Sequence, residues 1–225
     1  MIKKINIAID GPAGSGKSTT AKLLANKLSY NYLDTGATYR AATYLWLFNN
    51  KQDIVEFEKD FSSAIIEIKF DNFKQLTFLN NEDISEEIRM PEVTANVSYI
   101  SSIGFVREKL VELQRQFAKS KGVVIDGRDI GTVVLPNAEL KIYLVASIEE
   151  RAKRRALELN KMGVKVNFDE IKLDIERRDK LDSEREISPL RKADDAIEID
   201  TTGMTIGDQV NHIYELGLKV INGLI

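Results

Sequence analysis

The stretch Ile5-Asn6-Ile7-Ala8-Ile9-Asp10-Gly11-Pro12-Ala13-Gly14-Ser15-Gly16-Lys17-Ser18-Thr19 decides how this chain is read. Its first six residues are mostly apolar and end at Gly11-Pro12, the pattern of a short strand buried on both faces of a parallel sheet. From Lys17 the period changes to 3.6, with Ala21, Leu24, Ala25 and Leu28 on one stripe of a helix. Between strand and helix, Gly11 to Ser18 fills every fixed position of G-x-x-x-x-G-K-[ST]. Chance composition would supply such a match in roughly one chain in a hundred of this length. Glycines there let backbone N–H groups and the helix N-terminus wrap around a phosphate. Lys17 is placed to reach the β- and γ-phosphates, and the Ser18 hydroxyl to ligate Mg²⁺ arriving as Mg-ATP. The loop predicts binding of a nucleoside triphosphate, not what is done with it.

Working outward, Tyr30–Asp34 reads as a second strand and Ala37–Phe48 as a second helix. Val123–Asp126, Leu140–Val145 and Ala196–Asp200 supply three more short strands. Five strands alternating with helices make an α/β fold with a parallel sheet flanked by helices. Ser147-x-x-Glu150, Asn167-x-x-Glu170 and Thr205-x-x-Asp208 each open a helix, and Gly163 closes the first of these. Gly122 is expected to cap the helix carrying Val106, Leu110, Leu113 and Phe117. The rhythm breaks between about Asp53 and Ile88. There Ile66, Ile68 and Phe70 alternate with charged residues, and Asn80-Asn81-Glu82-Asp83 makes a turn, so a small antiparallel meander is expected as an insert.

Composition narrows the chemistry. The 225 residues contain no cysteine, which excludes a disulfide framework, thiolate catalysis and the common zinc folds. The one histidine, His212, falls within a helical pattern and is expected to be structural, so a Ser-His-Asp triad is not anticipated. A formal net charge of −3 argues against a nucleic-acid or anionic-membrane binder. No apolar run approaches the ~20 residues of a membrane span. Lys3-Lys4 before Ile5–Ile9 imitates a secretion signal, but Asp10 and the glycines follow at once, so a soluble cytoplasmic protein is expected.

Charge placement says more than net charge. Of twelve arginines, seven lie between Arg151 and Arg191, yet residues 149–192 carry 13 basic and 11 acidic side chains. Most of these read as solvated helix faces. Arg40 and Arg128 differ: they follow predicted strands, and ligands of open α/β sheets bind at strand C-terminal ends. Forked guanidinium donors there suit a second phosphate.

Four segments carry a family resemblance. They are Ile9–Thr19, Leu33-Asp34-Thr35-Gly36-Ala37-Thr38-Tyr39-Arg40, Ile125-Asp126-Gly127-Arg128-Asp129-Ile130-Gly131-Thr132-Val133-Val134, and Arg178-Asp179-x-x-Asp182-Ser183-x-Arg185. Together they strongly resemble the bacterial cytidylate kinases, nucleoside monophosphate (NMP) kinases of the P-loop class, over about residues 5–210. Thr35 stands where that family often has serine.

The resemblance implies a P-loop NTPase-type five-stranded parallel sheet with an inserted antiparallel NMP-binding subdomain and a helical lid. The chain then forms a single kinase domain with core 1–50 and 104–225, an insert over about 51–103 and a lid over about 149–192. It also implies transfer of the ATP γ-phosphate to CMP or dCMP, giving CDP or dCDP and ADP; a monomer without nucleic-acid or membrane partners is expected. Gly11, Pro12, Ala13, Gly14, Ser15, Gly16, Lys17, Ser18 and Thr19 would hold ATP. Arg40, Arg128, Arg185 and Arg178 would surround the acceptor phosphate, with Thr35 beside it or the sugar and Asp182 at the sugar hydroxyls. Ser98, Arg107 and Asp129 would read cytosine, whose N4 amino group suits an ionised carboxylate. The implied catalytic set is Lys17, Arg128, Arg185, Asp126 to orient the Mg²⁺ waters, and the lid residue Arg154, preferred over Arg151. The loop Thr201-Thr202-Gly203 is expected to border the adenine. Two other readings stay open: a P-loop kinase for UMP, AMP or a small metabolite, and a nucleotide-regulated switch.

Overall fold

The computed structural model describes residues 3–49, 53–71, 74–161, 163–164 and 166–224. Five parallel strands make the central sheet: β1 (Asn6–Asp10), β2 (Asn31–Asp34), β6 (Val123–Gly127), β7 (Leu140–Val145) and β8 (Ile197–Asp200), in the order β2-β6-β1-β7-β8. Asp10 lies opposite Gly127, and Asp34 opposite Asp126, so three strands end level with one another. β1 and β6 are buried along their whole length, as their apolar runs require.

Helices α1 (Lys17–Leu28) and α8 (Ile206–Ile221) cover one face, closing over Ile7, Ile9, Leu24, Leu144 and Ile213. On the other face α5 (Gly104–Ala118) packs Val111 and Ala118 against Ala8, Leu33 and Ile125. His212 lies on the exposed side of α8.

A second sheet of β3 (Ile66–Asp71), β4 (Lys74–Leu79) and β5 (Glu82–Asp83) is the expected antiparallel meander. Asn80 and Asn81, at φ 50° and 71°, turn it tightly in the left-handed region that asparagine tolerates. The meander begins later than the sequence reading has it. Residues before it form α3 (Ile54–Ser63), because Asp53 caps the N–H groups of Val55 and Glu56 at 2.9 and 3.0 Å and Phe57 and Phe61 bury fully one turn apart. Those phenylalanines join a cluster with α2 (Thr35–Asn49), α4 (Pro91–Ile100) and α5, so this segment shares its core with helices on both sides. Gln75 ties β4 to the main sheet: its Oε1 accepts the Asp34 N–H at 2.8 Å and its Nε2 donates to the Asp34 carbonyl at 3.3 Å.

Gly122 is not the C-cap of α5, which ends at Ala118. Instead it donates to the Ile5 carbonyl and accepts from Asn31 N–H, both at 3.1 Å, stitching the starts of three strands. The capping signals of the last three helices hold: Ser147 Oγ accepts from Glu150 N–H at 3.2 Å, Asn167 Oδ1 from Asp169 at 2.9 Å and Thr205 Oγ1 from Asp208 at 3.2 Å. They lead into α6 (Ile148–Lys161), α7 (Phe168–Glu184) and α8.

Candidate active site

The phosphate loop leaves β1 at Gly11, where φ is +152° and a Cβ would sit 2.2 Å from the Leu144 carbonyl oxygen, so only glycine fits. Gly14 and Gly16 also take positive φ, turning the loop into the N-terminus of α1. Lys17 folds back so that its Nζ donates to the Pro12 carbonyl at 2.8 Å. Burial, then the neighbouring Arg128, pushes its ammonium well below the ordinary lysine range.

β6 ends beside the loop. Asp126 accepts the Ser18 hydroxyl at 2.6 Å on one oxygen and the Tyr32 hydroxyl at 2.8 Å on the other. Burial and the nearby Asp34 raise this carboxyl above the usual range, while Lys17 opposes the shift. A hydroxyl and a carboxylate within hydrogen-bond reach are hard oxygen donors of the kind Mg²⁺ takes. Among the described residues no group of three or more His, Cys, Asp or Glu side chains that could hold a metal ion forms.

Arginines gather next to this pair. Arg40, on α2, pairs with Asp34 at 2.8 Å, and Arg128 donates to Asp182 at 2.6 Å. Arg107, on α5, bonds Asp129 and the Ser101 carbonyl, with its guanidinium 5.4 Å from the Tyr39 ring centre. Arg185 places Nη2 3.4 Å from the other Asp129 oxygen. Arg178 stands near Arg128 and Arg40, and burial with their repulsion lowers its pKa to about 10. Arg40, Arg107, Arg178 and Arg185 each keep a buried guanidinium nitrogen without a hydrogen-bond partner. An unpartnered buried donor costs roughly 1–3 kcal/mol, more when charged. Arg40 and Arg178 thereby keep donors that no protein acceptor uses, while Arg107 and Arg185 both pair with Asp129.

Other expected residues are held by contacts within the chain. The Thr35 hydroxyl is buried and donates to the Asp126 carbonyl at 2.7 Å, so it braces the end of β6. Ser98 is half-buried on α4, and among the described residues no hydrogen bond joins it to Arg107 or Asp129. Arg154 reaches the loop through backbone: it donates to the Ser15 carbonyl at 3.2 Å and to the Thr201 carbonyl at 2.6 Å. Thr201 itself is fully buried, its hydroxyl 3.2 Å from the Ser15 carbonyl. Ser18 and Thr19 face solvent at the mouth of the loop.

A family model described as cytidylate kinase matches residues 7–218. The chain belongs to the cytidylate kinase family. The cytidylate kinase of Bacillus anthracis is 51% identical over 225 residues, covering 98% of this chain and 99% of that protein. That of Caldicellulosiruptor bescii is 52% identical over 225 residues, covering 98% of each chain. In fold, the chain is similar to a gluconokinase from Sinorhizobium meliloti, with a TM-score of 0.50 at 12% identity over 98% of this chain and 95% of that one.

Three side chains of this family member take part in the site without having been singled out in the sequence. Asp10 accepts the N–H groups of Ile130 and Gly131 at 2.8 and 2.7 Å, tying the start of the phosphate loop to the turn that carries Asp129. That turn is a single π-helical coil, with Leu135 N–H bonded to the Ile130 carbonyl at 2.7 Å. Tyr32 orients Asp126, and Asp179 accepts the Ala13 N–H at 3.0 Å. Asp10 and Asp179 both stand inside quoted motifs, so a signal existed. Tyr32 reads simply as strand.

Proposed function

We propose that this chain transfers the γ-phosphate of ATP to CMP or dCMP, yielding ADP and CDP or dCDP. The observation that carries the reading is the gathering of Arg40, Arg178 and Arg185, each with a buried guanidinium nitrogen that makes no hydrogen bond, in a P-loop chain of the cytidylate kinase family. Phosphoryl transfer to an acceptor that is already anionic needs positioning and charge neutralisation rather than a base. Lys17 and the loop amides take the donor phosphates. Arg40, Arg128, Arg178 and Arg185 take the acceptor phosphate, and Arg128 and Arg185 remain on the migrating group. Ser18, with Asp126, would hold Mg²⁺, which neutralises charge on the β- and γ-phosphates when bound.

Asp129 keeps one oxygen outside its hydrogen bond with Arg107, and that oxygen accepts the cytosine N4 amino group. Arg107 contributes its remaining Nε–H to the same base. In this reading residues 51–103 close over the acceptor and 149–192 act as the lid that excludes water. The enzyme works as a cytoplasmic monomer with ATP and CMP as its partners.

A coupled ADP-release assay over a panel of monophosphates tests the reading. Rapid turnover with CMP and dCMP, and little with ATP alone, is expected. Turnover with UMP or AMP and none with either cytidylate would sink it.

A further inference from the structure

The phosphate loop meets the lid helices at Ala13. Its methyl group is buried with Ala152 of α6 and with Ile171 and Ile175 of α7. Its two backbone groups are held from the same side. Asp179 accepts the Ala13 N–H at 3.0 Å, and Arg151 donates to the Ala13 carbonyl at 3.0 Å. Arg151 and Asp179 bond one another, and Arg151 Nε also donates to the Ala146 carbonyl at 3.1 Å. A Cβ on Gly14 would lie 3.1 Å from the Arg151 side chain, so loop and helix are in close contact.

Exposed ion pairs contribute little, with a median of about 0–1 kcal/mol. This one differs, because its side chains are only 10% and 21% exposed and each partner also grips loop backbone. On the same helix, Arg178 and Asp182 flank Asp179, and Asp182 holds Arg128 at 2.6 Å. One turn of α7 therefore touches the donor loop and the acceptor arginines together.

We propose that Asp179 is a positioning residue: with Arg151 it clamps Ala13 and fixes the spacing between the phosphate loop and the acceptor arginines. This rests on the phosphotransfer reading above and assigns a role to a residue outside its substrate contacts. Transfer requires donor and acceptor phosphates in line, and a misplacement of 1 Å can cost about 10²-fold in rate. The clamp supplies that alignment through a single helical turn, without touching either substrate.

The test compares wild type with Asp179→Ala, Asp179→Asn, Arg151→Gln and the Asp179→Ala/Arg151→Gln double variant, by steady-state kinetics with ATP and CMP and by thermal melting. Asp179→Ala is expected to lose about 10- to 100-fold in kcat while both KM values stay within about threefold. Asp179→Asn keeps an acceptor for the Ala13 N–H and is expected to lose only about three- to tenfold; it carries the test alone if the alanine variant fails to fold. The double variant is expected to match the weaker single one, because one clamp is removed only once.

A kcat within threefold of wild type in Asp179→Asn and Asp179→Ala overturns the proposal. So do losses that multiply in the double variant, or a kcat loss that tracks only the fraction unfolded. A wild type inactive toward CMP and dCMP overturns the functional reading instead, and the same comparison then uses the monophosphate that does turn over.

Discussion

Ser18 and Asp126 face each other across the ends of two neighbouring strands' connections, the hydroxyl donating to the carboxylate at 2.6 Å. They are 108 residues apart in sequence, and parallel pairing of β1 with β6, Ile9 opposite Asp126, brings the start of α1 beside the end of β6. The contact joins a loop that grips phosphate to a carboxylate raised by burial and by Asp34. A divalent cation bound there would be held by the Ser18 hydroxyl oxygen, with Asp126 orienting its waters, and its charge would offset the penalty on the buried carboxylate.

Ser18→Ala is therefore expected to raise the Mg²⁺ concentration for half-maximal activity by about tenfold or more, with ATP held saturating. Asp126→Asn is expected to shift it further, since the amide carries no charge. Tyr32→Phe removes the hydroxyl that orients Asp126 and is expected to give a smaller shift in the same direction. Magnesium titrations of the three variants check this ordering, and unchanged midpoints in Ser18→Ala and Asp126→Asn would remove both residues from the metal site.

Asp129 lies between two guanidiniums, and its own side chain is only 5% exposed. Asp129→Ala leaves Arg107 and Arg185 buried without their counter-charge, a change that costs about 3–5 kcal/mol when a buried pair is broken. In the proposed function it also removes the acceptor for the cytosine amino group. The expected outcome is a lower melting temperature together with a CMP-over-UMP preference reduced about 10- to 100-fold, and a smaller change in ATP affinity. Measured discrimination that survives while stability falls would make Asp129 purely structural.

Much of this was legible in the sequence, and the boundary of legibility is physical. Apolar runs ending in Gly-Pro or Asp-Gly read as strands buried on both faces, because they are too short for a buried helix and are bounded by turn residues. Side-chain caps such as Ser147 and Thr205 announce helices locally. By contrast, α3 was hidden by its polar surface, although Asp53 and Glu56 stood at capping positions. The site residues were legible as types but not as pairs. Whether Arg128 faces a ligand or Asp182, and whether Thr35 offers its hydroxyl outward or to the Asp126 carbonyl, is set by packing between segments about 50 to 90 residues apart. No periodicity encodes that.

Lys17 illustrates a site that works against stability. Burial and Arg128 hold its ammonium well below the ordinary lysine range, so the charged form is disfavoured in the folded protein. Lys17→Met is expected to abolish most turnover, at least about 10²-fold in kcat, and to melt at or above the wild-type temperature near neutral pH. A lysine with a depressed folded pKa makes the wild type gain stability as pH rises toward the unfolded value of 10.5, so the variant's advantage narrows with increasing pH. Melting curves from neutral to alkaline pH check the sign, and a variant markedly less stable at pH 7 would contradict it.

Asp10 sets up the opposite dependence. Burial raises its carboxyl to about 6 from 3.8, even though the Ile130 and Gly131 N–H groups favour the anion. The folded state then binds the proton more tightly than the unfolded chain. Stability from this group is present in full below about pH 4, declines as pH rises towards 6, and is level beyond that. A shift of about two units corresponds to roughly 3 kcal/mol. Because Asp10→Asn cannot ionise, the difference in unfolding free energy between wild type and this variant isolates the effect. The wild type's margin is expected to shrink by about 2–3 kcal/mol between about pH 4 and 6.5, measured by urea unfolding at each pH. A margin that grows over this range would mean that the two backbone donors outweigh burial, and that Asp10 is an anion holding the Asp129 turn at every working pH.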